Sequence, residues 1–264
     1  MRAIRNAFIP NIARFVAVLL LSTNVCLADD VRLIVTGALF GAFRDLVPEY
    51  ERQTGDHLMI AWGPSSGTSA RAIPVRVKAE PFDAVITSKA GLDDLVSEGL
   101  VDSATRADLV RSGVGIAVSK HLPKPDVSNI AALKRVLQEA KSIGYSEGSS
   151  GVYVSTALVD RLGLGDDVKQ KFKKIVGKPV GKAVVDGEVE IGMQQISELR
   201  AVPDIQYCGA LPEAVQNYVV FSGALSRKSD VQKGARAFLT FLQSSAARPY
   251  LLNSGLELPN GSGL

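Results

Sequence analysis

The chain has 264 residues, of which 46% are hydrophobic, and this composition allows one large domain or two modest domains with packed cores. Its 30 Lys and Arg residues exceed its 27 Asp and Glu residues only because of three arginines near the start, Arg2, Arg5 and Arg14. The rest of the chain is balanced in charge, which argues against a nucleic-acid partner.

Residues 1–28 have the pattern of a secretory signal peptide. The three arginines precede a short apolar run at residues 15–21, and Cys26-Leu27-Ala28 follows as a small-residue cleavage site. The apolar run is too short to span a bilayer. We therefore predict cleavage after Ala28 and a periplasmic location. Cys208 is then the only cysteine of the mature chain, so no disulfide is expected within it.

Strand-like and helix-like segments alternate after the signal. The strands are predicted at 31–35, 57–62, 83–86, 114–118, 142–145, 190–193, 205–209 and 218–221. The helices are predicted at 41–54, 69–78, 92–98, 129–140, 150–162, 166–175, 231–242 and 246–252. This order predicts an α/β protein with mostly parallel sheets that are flanked by helices.

The order of the segments also indicates two lobes. A Pro-rich passage at 122–126 follows the strand predicted at 114–118, and we place a crossing between the lobes there. The strand predicted at 218–221 would cross back. Lobe I is then discontinuous and contains residues 29–115 and 220–264, while lobe II contains residues 116–219.

The loop Gly63-Pro64-Ser65-Ser66-Gly67 fits the G-x-S-x-G pattern of a nucleophilic serine between a strand and a helix. Such a serine needs a histidine base later in the chain. The only histidines are His57 and His121, so a hydrolase is disfavoured. The same scarcity of histidines, without clustered cysteines, provides no pattern for a zinc site.

Anion binding is a better interpretation of this loop, since backbone N–H groups and hydroxyls at a helix start favour negative charge. The same residue types recur at 148–151, in the other predicted lobe. Arg71 and Arg76 follow the first loop, and an arginine fork pairs well with a carboxylate. Two alternatives stay open: the loops are ordinary caps and turns, and the arginines lie on a solvated helix face.

Several segments resemble the periplasmic molybdate-binding-like proteins over nearly the whole mature chain. These segments are 33–43, 65–68, 82–84, 150–153 and the return strand at Val219. The resemblance implies the two-lobed type II fold of periplasmic binding proteins, with a ligand cleft between the lobes.

In the oxyanion-binding members of that family, neutral donors form the pocket. Carried over by position, the resemblance places these sites at Ala38, Ser65, Ser150, Val180 and Gln194. Gly37, Ser66 and Gly151, next to three of these positions, are further candidates for ligand binding. Two positions depart from the family: Ala38 replaces a serine hydroxyl, and Gln194 replaces a tyrosine. Each lost charge-assisted hydrogen bond costs about 1.5–3 kcal/mol, which disfavours molybdate as the ligand.

Other segments resemble a branch of the same family that is similar to aconitate isomerase. These segments are 64–65, 72–74 with Arg76, 80–83, 145–147, 150–153 and 194–203. The resemblance implies an isomerase that interconverts cis- and trans-aconitate by an allylic proton shift, with no metal or nucleotide cofactor. Such a site needs donors for the carboxylates and a base for the proton.

Arg71, Arg76, Ser65, Ser66 and Ser150 are candidates to hold the carboxylates. The candidates for proton transfer are Glu147, Glu198 and Tyr153. Each has a purely structural alternative, namely a solvated loop carboxylate for Glu147, a helix-cap interaction for Glu198 and a core aromatic for Tyr153.

The second hypothesis is a monomeric binding protein that delivers a small oxyanion or carboxylate to the permease of an ABC transporter. The lost hydroxyl positions and the nearby arginines favour the isomerase, while the fold and the usual role of the family favour the binding protein.

Overall fold

The computed structural model describes residues 30–229 and 232–259, so the predicted signal peptide lies outside the described residues. The strands are β1 (Asp30–Thr36), β2 (His57–Gly63), β3 (Ala84–Ser88), β4 (Ala107–Ser112), β5 (Val114–Ser119), β6 (Ile143–Ser146), β7 (Phe172–Ile175), β8 (Ile191–Gln195), β9 (Ile205–Ala210) and β10 (Val219–Leu225).

The helices are α1 (Phe40–Thr54), α2 (Ile73–Ala79), α3 (Lys89–Ser97), α4 (Ile130–Glu139), α5 (Ser149–Tyr153), α6 (Val159–Arg161), α7 (Asp166–Lys169), α8 (Val180–Val185), α9 (Ile196–Arg200), α10 (Gln232–Leu242) and α11 (Arg248–Asn253). A π-helical turn, Val154–Leu158, joins α5 to α6. No helix of the described part of the chain is both long and apolar enough to cross a membrane.

The described strands form two five-stranded sheets with the same pattern. Their orders are β2-β1-β3-β10-β4 and β7-β6-β8-β5-β9. In each sheet three neighbouring strands are parallel, and one strand, β10 or β5, is antiparallel to both of its neighbours. This architecture confirms the predicted two-lobed α/β fold with mostly parallel sheets.

The chain passes from the first sheet to the second at Gly113, between β4 and β5. The Pro-rich passage at 122–126 comes after β5, so the crossing predicted there is wrong, and the predicted boundary between residues 115 and 116 falls inside β5. Strand β4 was not predicted because Asp108 and Arg111 interrupt its apolar pattern. Both charges have partners, since Ser222 Oγ donates to Asp108 Oδ1 over 2.6 Å and Arg111 forms an ion pair with Glu257.

Two predicted helices differ in the structure. Helix α2 begins at Ile73 rather than residue 69, because Pro74 lacks an N–H group and is best tolerated in the first turn of a helix. In the predicted helix 166–175, only Asp166–Lys169 is helical, and Phe172–Ile175 forms the edge strand β7. Helices α8 and α9 were not predicted.

Each of the two sheets packs against an apolar cluster of its own. In the first, Phe238 packs edge-on against Phe43 and Tyr50, with ring centroids 5.5 and 5.0 Å apart. In the second, α4 packs Leu133 and Leu137 onto the sheet. The two sheets are therefore separately packed bodies, and a cleft lies between them.

Candidate functional site

A cavity of about 540 Å³ lies in the cleft between the two sheets, a size typical of small-molecule sites. Five strands end at this cavity, namely β1, β2, β6, β7 and β8. The segments that follow them form most of its wall. In open α/β sheets, ligands bind outside the carboxyl ends of the strands, so this cleft is the candidate site.

On the first lobe, Ser65 connects the ends of three strands. Its Oγ donates to Thr36 Oγ1 over 2.9 Å and accepts from the backbone N–H of Ser88 over 3.2 Å. Ser65 is only 5% exposed, yet it lines the cavity together with Thr36. The hydroxyl that was predicted to bind a ligand therefore also fixes the first wall of the cleft.

On the second lobe, the start of α5 forms the opposite wall. Gly148, Ser149 and Ser150 line the cavity, and Ser150 Oγ lies 3.3 Å from Ser146 Oγ. The first N–H groups of a helix have no partner within the helix, so Ser149 and Ser150 are placed to donate to an anion.

Glu198, in the first turn of α9, lines the cleft beside Gly37. A Cβ atom at Gly37 would lie 3.1 Å from Glu198 Oε2, so the glycine leaves room for the carboxyl group. Burial raises the pKa of Glu198 from 4.5 to about 7, and a hydrogen bond from Gln194 Nε2 to Oε2 opposes this rise. A carboxyl group with a pKa near neutrality can both accept and return a proton.

Three cationic side chains, Arg71, Lys178 and Lys182, line the cleft. Arg71 lies on the first lobe, and its Nη1 donates to the carbonyl of Gly177 on the second. Ser66 Oγ also reaches across the cleft and donates to the carbonyl of Glu147 over 3.5 Å. The positive charge that an anion needs is thus local, although residues 29–264 are balanced in charge.

The two lysines have carboxylate partners at the rim of the cleft. Lys178 pairs with Glu188 and lies 3.8 Å from Asp186, which also pairs with Lys182. These bonds lower the pKa of Asp186. No group of three or more His, Cys, Asp or Glu side chains suited to a metal ion occurs within residues 30–229 and 232–259.

The structure does not bring Arg76 or Tyr153 to the cleft. Arg76 donates twice to the Glu80 carboxylate, at 2.7 Å each, and stacks over the ring of Phe82. Tyr153 is a core residue, and its hydroxyl donates to the carbonyl of Val215 over 2.6 Å. The two side chains are therefore placed for structural roles rather than for the predicted binding and proton transfer.

Three further predicted binding positions lie behind the wall of the cleft. Ala38 and Val180 are fully buried, and Val180 N–H donates to Gln194 Oε1 over 2.9 Å. Gly151 packs against β6, since a Cβ atom there would lie 1.6 Å from the carbonyl oxygen of Ser146. The cleft instead receives Gly37, Ser65, Glu147, Ser150, Gln194 and Glu198 from the predicted set, with Ser66 and Arg71 crossing it.

Sequence reasoning missed an aromatic wall and the two lysines. Phe40 packs edge-on against Trp62 with ring centroids 5.3 Å apart, and both line the cavity. Trp62 lies near the end of β2, and Lys178 follows β7. Their places at the ends of strands are the signal by which the sequence could have indicated them. Strand β7 itself was predicted as helix, which hid Lys178.

Comparisons with known proteins show the family and the fold to which the chain is similar. Residues 31–257 match the family model described as bacterial extracellular solute-binding protein. A curated protein named aconitate isomerase, from a Pseudomonas species, is 40% identical over 245 residues, which cover 91% of this chain and 94% of that protein.

Solved structures show the likeness of the fold. The periplasmic molybdate-binding protein of Azotobacter vinelandii superposes with a TM-score of 0.72 at 16% identity, covering 88% of this chain and 100% of that chain. A sulfate-binding protein of Mycobacterium tuberculosis superposes with a TM-score of 0.68 at 19% identity, covering 89% of this chain and 88% of that chain. At these identities the likeness concerns the fold alone.

Proposed function

The chain belongs to the bacterial extracellular solute-binding protein family, and on this premise we propose that its cleft binds a small tricarboxylate and interconverts cis- and trans-aconitate. The identity of 40% with an aconitate isomerase supports this reaction. The observation that carries it is Glu198, a half-buried carboxyl group at the cleft whose pKa is raised to about 7.

The proposed reaction is an allylic proton shift. Glu198, as carboxylate, removes a proton from the methylene carbon of aconitate, and the C–H electron pair becomes a new C=C bond. The electrons of the old C=C bond move to its far carbon, which takes a proton from the protonated Glu198. No atom is gained or lost, and the geometry of the new double bond decides between the cis and the trans product.

Between the two proton transfers, negative charge spreads from the allyl carbons into the attached carboxylates. Cations and N–H donors that face these oxygens stabilise this charge. Arg71, Lys178 and Lys182 supply the cations, and the first N–H groups of α5 supply neutral donors. Glu147 lines the same wall and is the second candidate for proton transfer.

Turnover of cis-aconitate tests the proposal. The purified protein is incubated with cis-aconitate in D2O, and trans-aconitate is followed by proton NMR. We expect trans-aconitate to appear and deuterium to enter the allylic positions, because the base exchanges its proton with solvent. The matched control is Glu198→Gln, for which we expect neither. If the unmodified protein produces no trans-aconitate, the proposed reaction is wrong.

We also propose that residues 1–28 are removed after Ala28 and that the mature protein is a periplasmic monomer. The protein used for the turnover experiment is therefore purified from the periplasm. Its mass and its elution volume in size-exclusion chromatography test the cleavage site and the monomer, respectively.

A second candidate function is a binding protein that delivers a small anion to an ABC permease. The two hydrogen bonds that cross the cleft, from Arg71 and Ser66, favour it because closure around a ligand is all that such a protein requires. Calorimetry with molybdate, sulfate and trans-aconitate separates the candidates. Tight oxyanion binding without aconitate turnover supports the binding protein.

A further inference from the structure

The amide of Gln194 connects helix α8 to the carboxyl group of Glu198. Its Oε1 accepts from the backbone N–H of Val180 over 2.9 Å, and its Nε2 donates to Glu198 Oε2. Gln194 is only 3% exposed and Val180 is fully buried. The bridge is therefore largely shielded from water, where each hydrogen bond has a larger effect than at the surface.

The backbone N–H of Val180 determines which way this amide faces. A backbone N–H can only donate, so the side-chain oxygen must face Val180 and the NH2 group must face Glu198. A flip of the amide would set two donors against each other at Val180 and two acceptors against each other at Glu198. The bridge consequently presents an N–H donor to Glu198.

This donor occupies one oxygen of the carboxyl group and leaves the other open. Within the described residues, no hydrogen bond or ion pair involves Glu198 Oε1. A Cβ atom at Gly37 would lie 3.1 Å from Oε2, so this glycine leaves space for the oxygen that Gln194 holds. Oε2 is thus held as an acceptor, and among the described residues Oε1 is the oxygen without a hydrogen-bond partner.

Other charged groups are not in contact with Glu198. Four charged side chains line the same cleft, namely Arg71, Glu147, Lys178 and Lys182. Two further titratable side chains are close in the fold: Arg200 on α9, and Tyr207 on β9, which packs against α9. None of these side chains forms a hydrogen bond or an ion pair with Glu198 in the described part of the chain. Gln194 is therefore the local group through which the protein controls this carboxyl group.

We propose that Gln194 is a positioning residue of the isomerase, which holds Glu198 Oε2 by hydrogen bonding so that Oε1 transfers the proton. The inference rests on the proposed function for its catalytic meaning, but the effect of Gln194 on Glu198 can be measured without any substrate. This role differs from the ligand-binding role predicted for Gln194, since the protein itself uses the amide oxygen and one N–H.

A carbon-13 NMR titration of the Glu198 carboxyl carbon tests the inference directly. The protein is labelled at the glutamate carboxyl carbons, and the resonance of Glu198 is assigned by its loss in Glu198→Gln. The hydrogen bond from the Gln194 amide stabilises the ionised form of Glu198. We therefore expect Gln194→Leu to raise the titration midpoint of Glu198 by about one pH unit or more. An unchanged midpoint overturns the inference.

A second variant covers the case in which Gln194→Leu does not fold, because leucine leaves the buried N–H of Val180 without an acceptor. Gln194→Glu keeps that acceptor and is nearly the same size. Its second oxygen places a like charge against Glu198, so we expect the midpoint of this carboxyl pair to rise further than in Gln194→Leu. A midpoint at or below that of the unmodified protein contradicts the inference.

The matched control is Gln195→Leu on the same strand. The amide of Gln195, oriented with its nitrogen toward the Ser112 and Gly113 carbonyls, donates to them over 2.8 and 3.1 Å and does not contact Glu198. We expect this variant to leave the Glu198 midpoint in place even where activity falls. A shift as large as that of Gln194→Leu would show a general loss of structure and overturn the inference.

Activity provides the last measurement. In Gln194→Leu, we expect the acidic limb of kcat/KM for cis-aconitate to move by the same amount as the NMR midpoint. A limb that stays in place while the midpoint moves contradicts the assigned role of Oε1. If the unmodified protein has no turnover, the proposed reaction is wrong, and the NMR titration alone then decides whether Gln194 controls Glu198.

Discussion

At the scale of single residues, burial and partners decide the chemistry of the cleft more than residue type does. Burial raises the pKa of Glu198, which lines the cavity, to about 7. The rise follows from removing a charge from water without supplying a cation. Glu198 is therefore suited to act as a general base near neutral pH.

The raised pKa predicts a pH-dependent difference in stability between the protein and Glu198→Gln. A raised pKa means that Glu198 favours the folded state below pH 4.5 and that this contribution disappears as pH rises through about 7. Urea unfolding of both proteins at pH 5 and at pH 8 measures this difference. From pH 5 to pH 8, the free energy of unfolding of the unmodified protein should fall by about 2 kcal/mol relative to that of the variant. An equal difference at both pH values contradicts the raised pKa.

At the scale of elements, the segment between β2 and α2 determines which arginine reaches a ligand. Arg71 precedes α2 and extends across the cleft to the carbonyl of Gly177. Arg76 lies inside α2, and its guanidinium is held by Glu80 one turn later. The late start of α2 at Ile73 separates the two, since it keeps Arg71 out of the helix.

We predict different effects for the two arginines on tricarboxylate binding. Arg71→Ala should weaken trans-aconitate binding by about 1.5–3 kcal/mol, because it removes a charge-assisted hydrogen bond at the cleft. Arg76→Ala is the matched control and should leave the affinity unchanged. Calorimetry on both variants measures this. Equal affinities for Arg71→Ala and the unmodified protein would place Arg71 outside the site.

At the scale of the whole molecule, the two passages between the sheets are tied together by Gln216. Its Oε1 accepts from the N–H groups of Val114 and Asn217 over 2.7 and 2.9 Å, and its Nε2 donates to the carbonyls of Val114 and Leu211 over 3.0 and 3.3 Å. The side chain thus acts as a strand partner for Val114 and packs against Gly113, where the chain crosses.

Gln216→Leu should lower the free energy of unfolding by about 1–3 kcal/mol, because the backbone N–H of Val114 loses its acceptor. Gln170→Leu, on an exposed surface, is the control and should change it by less than about 0.5 kcal/mol. Urea denaturation of both variants measures the difference. A Gln216→Leu protein as stable as the control would show that the crossing does not depend on this side chain.

The sequence by itself determined the features that depend on residues close together along the chain. The alternation of strands and helices is local, and so are helix ends: Gly55 ends α1 in the left-handed region with φ of 80°, and Asn129 Oδ1 accepts from Ala132 N–H at the start of α4. The placement of polar loops after strands followed from the same patterns. Ser65 and Ser150 were therefore predictable as candidates from local patterns, whereas Glu198 was a candidate because of the resemblance to the aconitate isomerase branch.

Only the tertiary structure decided what each candidate touches. Arg71 donates a hydrogen bond to a carbonyl 106 residues away in the sequence, and Tyr153 donates to one 62 residues away. The Gln194 amide is oriented by a backbone N–H of another element. Charge, hydrogen-bonding capacity and spacing are written in the chain, but burial and partners are set when distant segments pack. For this reason Glu198 is the residue that we propose for proton transfer, and Tyr153 is a core residue.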